Sequence, residues 1–265
     1  MAERLEWIRL RPESWVDWRP VWGGLEAHAL VHARYPQAPC TAVEPDPAQA
    51  SYAATRLRRP WWRRWSEAGV SVAADAPDGT ARMLWANMAL HTAADPQALM
   101  ARWHRALAVD GFLMFSSLGP DSLRALRRLY ADLGWPPAGP EFTDMHDWGD
   151  MLVQAGFAEP VMDMERVTLT WTTPEALLEE LRTLGANLHP GRFPACRGRL
   201  WRERLLATLR ERLAGPDGRL ALEFEIVYGH ALRPAARPRV LPESAVSLQE
   251  MRQLLRAERP EGGMR

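Results

Sequence analysis

The sequence predicts an α/β fold, a doubly wound, mainly parallel sheet with helices on both faces. Two observations predict it. As far as about Leu133, short apolar runs alternate with stretches of helical periodicity, the pattern of strand, helix, strand repeated. Acidic residues also stand at the ends of three successive predicted strands, where open α/β sheets bind their ligands. The chain has 265 residues, 47% of them hydrophobic, which is enough to bury one large core.

Taken in order, the predicted strands of this half are Ser14–Trp18, Cys40–Glu44, Val70–Ala73, Met83–Asn87 and Gly111–Ser116. A helix is predicted over Asp95–Ala108, where Leu99, Trp103 and Leu107 recur at i, i+4 and i+8. The second half changes character. Asp147–Ala155 places Trp148, Met151, Leu152 and Ala155 on one helical face, and Gly156 ends it. Val167, Leu169 and Trp171 alternate as in a strand. Thr173 and Pro174 read as an N-cap and first helical residue, opening a helix with a stripe of Leu177, Leu181, Leu184 and Leu188. A further helix is predicted over Leu200–Leu213, and Leu220, Leu222, Phe224, Ile226 and Tyr228 alternate as a late strand. The expected organisation is therefore one domain over residues 1–233, with a helical insert at about 173–213 before the last strand. A proline- and arginine-rich tail follows over 234–265, with a capping-box pattern, Ser247 and Glu250, for a short helix.

Composition excludes several functions. With 33 basic and 33 acidic residues the net charge is zero, which argues against a nucleic-acid binder. Two cysteines, Cys40 and Cys196, make no disulfide scaffold and no metal site, so no metal is expected. The first residues lack the apolar core of a signal peptide, and no run is long enough to span a bilayer. A soluble, cytoplasmic, monomeric protein is the expectation.

Three acids carry the ligand argument. Asp17 lies near the end of the first strand, ahead of Gly23 and Gly24. Glu44 ends the second strand roughly twenty residues beyond those glycines, the distance at which a carboxylate meets a ribose diol. Asp75 follows the third strand, where a carboxylate or its neighbouring backbone amide could meet an adenine edge. Any one of these could instead cap a helix or face water; their succession at three strand ends is what favours a nucleoside. No intact G-x-G-x-x-G is present, which weakens a dinucleotide-dependent oxidoreductase reading.

Several stretches resemble a known family. They are Leu84-Trp85-Ala86-Asn87-Met88-Ala89-Leu90, the run from Gly111 through Phe115-Ser116-Ser117-Leu118-Gly119-Pro120 to Leu123, and Asp144-Met145-His146-Asp147-Trp148-Gly149 through Phe157, continuing to Tyr228-Gly229-His230. They are similar to the class I, Rossmann-like S-adenosylmethionine (SAM) methyltransferases, and among these to the BioC-type enzymes of biotin synthesis, which methylate the free carboxyl of malonyl-acyl carrier protein. The resemblance covers most of the chain from Leu5 to His230. It implies SAM as cofactor and a malonyl-loaded acyl carrier protein as partner. It further implies Asp17 at the start of the glycine-rich loop, Gly23 as the last loop glycine, Glu44 on the ribose and Asp75 near the adenine. Asn87 and Leu90 would face the methyl donor and substrate, and His91, just after the fourth strand, is a candidate substrate contact.

The glycine-rich loop departs from the family pattern. Here it reads Asp17-Trp18-Arg19-Pro20-Val21-Trp22-Gly23, so Arg19 and Val21 stand where glycine normally lets a backbone approach its ligand. Pro20 fixes a dihedral and removes an amide hydrogen, and Trp18 and Trp22 are expected to add bulk beside the same space. The helical region that covers the cofactor in the family is also mostly missing before Leu5. Two functions stay open on this reading: a carboxylate O-methyltransferase, and a catalytically silent relative kept as a binding or regulatory partner. For docking an acidic carrier protein there are two candidate faces. One is the cluster Arg56, Arg58, Arg59, Arg63 and Arg64 around Trp61-Trp62, and the other is the Arg- and Leu-rich insert.

Overall fold

In the computed structural model, which describes residues 1–58 and 68–235, seven strands form one sheet in the order β3-β2-β1-β4-β5-β7-β6. The strands are β1 (Trp15–Trp18), β2 (Cys40–Val43), β3 (Val70–Ala73), β4 (Ala81–Ala86), β5 (Leu107–Leu118), β6 (Ala158–Trp171) and β7 (Leu220–Leu232). The first five run parallel; β7 enters antiparallel between β5 and β6. Strand order reverses between β1 and β4, so the ligand crevice of this architecture lies beyond their carboxyl ends.

The period-2 alternation of the strands explains the two-sided core. Met83, Trp85, Phe112 and Met114 face one side, with Trp15, Val31 and Leu5. Leu84, Ala86, Leu113 and Phe115 face the other, against Trp103, Trp148 and Leu152. Helices α2 (Leu25–Arg34), α4 (Pro96–Ala106) and α6 (Met145–Gln154) supply those partners. Their starts are fixed locally: Asp95 accepts from the Ala98 amide, Asp144 from that of His146, and proline holds the first position of α4. At Gly229 the Phe115 ring lies where a side chain would begin, so only glycine permits this crossing of β7 over β5.

A third cluster joins Leu118, Trp171, Leu220, Leu222 and Phe224 to α5 (Arg124–Asp132), α7 (Pro174–Thr183) and α8 (Arg199–Leu213). The insert thus lies between β6 and β7 in the chain, and the Thr173 hydroxyl accepts from the Ala176 amide to start α7. Its leucine stripe is shorter than the sequence predicts. Gly185, at φ +116°, ends the helix after Thr183, leaving Leu184 and Leu188 54% and 60% exposed. The basic cluster around Trp61-Trp62, apart from Arg56 and Arg58, and the tail pattern at Ser247 and Glu250 lie outside the described residues.

Candidate cofactor and acceptor site

The altered loop leaves β1 through Arg19, whose amide still pairs with the Val43 carbonyl at 2.9 Å. Arg19 then takes φ +58° and ψ +56°, a left-handed conformation normally left to glycine. Arg19 thus meets a backbone demand that a glycine would meet without strain. Next comes a single helical turn, α1 (Pro20–Gly23), with proline at its first position, and Gly24 at φ +96° opens α2.

Trp18 does not crowd this loop as the sequence predicts. Strand alternation turns it to the α4 side, where its ring meets Trp103 edge-on at 6.2 Å in the buried core. Trp22 is 54% exposed, with the Arg19 guanidinium over its ring.

Asp17 points to the opposite side of β1. Its carboxylate is buried and 2.8 Å from His28 Nδ1 on α2. Burial raises its pKa, and the histidine opposes that shift. Asp17 is thus a tether between β1 and α2, fixing both ends of the loop from below. Glu44, one residue past β2, is 1% exposed. Its Oε1 accepts from the Val21 amide at 2.8 Å, while Oε2 is buried with no hydrogen-bond partner among the described residues. Burial pushes its carboxyl pKa up, and the Val21 amide and Arg19 charge pull it back. A carboxylate oxygen buried and unanswered costs free energy, which a hydroxyl donor would relieve.

Across the switch point, Asn87 ties the two halves of the crevice together. Its Nδ2 donates to the Gly23 carbonyl, and its Oδ1 accepts from Ser116 Oγ at 2.6 Å. Ser116 Oγ in turn accepts from the Met88 amide at 3.1 Å. A Cβ on Gly23 would stand 2.8 Å from the Asn87 carbonyl oxygen, so the glycine serves close approach of loop to strand.

Asp75, Leu90 and His91 take three different settings. Asp75 is committed to Arg102, whose Nε lies 2.9 and 3.0 Å from its two oxygens; the same guanidinium holds Asp78 and the Ala76 carbonyl. Arg102 therefore ties down the segment after β3, while the Asp75 side chain stays 59% exposed. Leu90 is fully buried in the α4-side core, because the 3-10 turn Leu90–Thr92 rolls its side chain inward. Its side chain packs against the core of the fold. His91 beside it stands at the mouth: Nδ1 accepts from the Leu118 amide at 3.4 Å and the ring meets Phe142 edge-on at 5.9 Å. Burial pushes its pKa down to about 4, so the ring is neutral at pH 7 with its proton on Nε2.

Sequence reasoning missed His28, Ser116, Arg102 and Phe142. Of these only Ser116 was signalled, by two serines closing an otherwise apolar strand. Among the described residues no His, Cys, Asp and Glu are grouped to hold a metal, and no helix is long and apolar enough to cross a membrane.

Comparison with known proteins agrees with this geometry. A family described as "Methyltransferase domain" matches residues 23–115. The YcgJ protein of Bacillus subtilis superimposes with a TM-score of 0.57 over 88% of this chain and 97% of its own, at 12% identity. A phosphoethanolamine N-methyltransferase of Haemonchus contortus, solved with S-adenosyl-L-methionine, does so at 0.50 over 87% and 51%, at 14% identity. At those identities the likeness is one of fold. The fold is that of the Rossmann-like methyltransferases, and the matched domain is a methyltransferase domain.

Sequence relatives narrow the class. The malonyl-[acyl-carrier protein] O-methyltransferase of Laribacter hongkongensis is 40% identical over 251 residues, covering 90% of this chain and 82% of the relative. That of Gallionella capsiferriformans is 38% identical, covering 89% and 82%. The chain belongs to the family of malonyl-[acyl-carrier protein] O-methyltransferases.

Proposed function

We propose that this chain methylates the free carboxyl of a malonyl group carried on acyl carrier protein, in the pimelate branch of biotin synthesis, as a cytoplasmic monomer. The observation that carries the cofactor half of this reading is Glu44, an acid with one buried oxygen unpartnered at the end of β2. Glu44 would hold the ribose, the backbone from Arg19 to Gly23 would line the crevice, and Asn87 would fix its far wall. The cofactor supplies a methyl group on a sulfonium, and the acceptor carboxylate, ionised at neutral pH, takes it without a general base.

What the protein contributes is alignment and exclusion of water. The Asn87–Ser116–Met88 chain holds the segment after β4 rigid, and neutral His91 can donate from Nε2 to an acceptor oxygen. Esterification removes a charge whose burial is costly, so the product could enter apolar acyl-handling sites. The carrier protein would dock through the insert, where Arg199, Arg202, Arg204, Arg210 and Arg212 of α8 are all exposed.

The Val21 amide on Glu44 also favours a second reading, a silent methyltransferase fold retained as a binding partner, since Glu44 is covered. One assay separates the two. With methyl-labelled SAM, malonyl-loaded carrier protein should gain a base-labile methyl ester while acetyl-loaded carrier does not. No label on either carrier, from a folded chain, would leave the silent reading standing.

A further inference from the structure

We infer that Arg127 binds the free carboxylate of the acyl acceptor, an assignment that rests on the methyl-transfer reading above. Arg127 lies on α5, half-buried. Its Nη2 donates to the carbonyl of Pro120, two residues past the end of β5, and its Nη1 to that of Pro140 at 3.4 Å. The guanidinium carbon is 5.9 Å from the centre of the Phe142 ring, and Phe142 in turn packs edge-on against His91. A fixed cation thus stands one aromatic ring away from the histidine at the crevice mouth.

No carboxylate pairs with Arg127 among the described residues, and its neighbours show why that matters. Asp121, next to Pro120, is already held by Arg124 at 2.9 Å and Arg166 at 2.7 Å. Arg102 is neutralised by Asp75 and Asp78, and Arg4 by Asp163. Carbonyl bonds orient Arg127 without neutralising it. A half-buried cation without a counterion costs free energy, and a guanidinium has five N–H donors, of which two are used here. The rest suit a carboxylate, which Arg can take side-on with two oxygens or hold by one. Held by one oxygen, the acceptor would keep the other for the methyl group, with His91 Nε2 as a second donor.

The test is binding without turnover. The full chain, saturated with S-adenosylhomocysteine, is titrated with malonyl- and with acetyl-loaded acyl carrier protein, which differ in the carboxylate. The wild type should prefer the malonyl carrier by about ten- to a hundredfold, the range of a charge-assisted hydrogen-bond pair. Arg127→Gln keeps a donor toward Pro120 but not the charge; it should bind both carriers nearly equally, with acetyl-carrier affinity unchanged. Arg127→Lys, which keeps charge but not the planar fork, should lose at least about threefold of the preference and stands in if the glutamine variant does not fold. Wild-type indifference to the carboxylate, or a preference undiminished in either variant, overturns the assignment. Failure of the wild type to bind either carrier is a different result, and it removes the methyl-transfer reading together with this one.

Discussion

The amide nitrogen of Val21 lies 2.8 Å from Oε1 of Glu44 and leaves Oε2 buried without a partner. The altered loop therefore reaches the acid at the end of β2 through one backbone N–H. It also covers that acid, since Glu44 is 1% exposed.

Arg19 is where the loop is most strained. Its left-handed φ of +58° costs on the order of 1 kcal/mol for a side chain with a Cβ, and more for a β-branched one. Arg19→Gly removes that strain but loosens the unfolded chain by a similar amount, so stability should change by less than about 1 kcal/mol. Arg19→Val should cost roughly 2 kcal/mol or more. Urea unfolding of the two variants checks the ranking, and equal losses would show that the turn does not depend on the left-handed conformation.

Gly23→Ala places a methyl 2.8 Å from the Asn87 carbonyl oxygen, too close for either backbone to remain in place. A loss of about 1–3 kcal/mol in stability is expected, together with weaker SAM binding as Asn87 gives up its bond to Gly23. Calorimetric titration with SAM and a thermal melt measure both. Retention of both properties would place the loop further from Asn87.

His91 predicts an acid-side loss of stability. Its pKa in the folded chain is about 4, below the ordinary 6.5, so the unfolded chain takes up the proton first as pH falls. Protonation in place would also turn Nδ1 from acceptor to donor against the Leu118 amide. Stability from this residue is present above pH 6.5, declines through the window from 6.5 to 4, and levels off below it. Between pH 7 and pH 5 the loss is about 2 kcal/mol at most. Urea midpoints at the two pH values should differ more in the wild type than in His91→Gln; an equal pH dependence would mean that His91 is not held neutral by burial.

Much of the fold was legible because strand alternation and caps are local signals. The run Leu84-Trp85-Ala86 reads as a two-sided strand, and it places Trp85 and Leu84 on opposite faces of the sheet. Thr173-Pro174 announces α7 from two residues. The end of α7 was harder, since Leu184 and Leu188 continue the helical spacing and only Gly185 interrupts it. At the site, strand-end position picked out Asp17, Glu44 and Asp75 but not what each carboxylate binds. That depends on partners far away in sequence, such as His28 on the next helix and Arg102 on α4. Leu90 depends on a turn in the same way: the 3-10 turn after β4 sends its side chain into the core, which strand spacing alone does not reveal.

Calorimetric titration of the folded chain with SAM, wild type against Glu44→Ala, tests most directly whether Glu44 holds the cofactor. Measurable binding by the wild type is expected, with a loss of roughly tenfold or more in the variant, the worth of one charged acceptor on a ribose hydroxyl. No binding by the wild type, or an affinity unmoved by Glu44→Ala, would contradict that role.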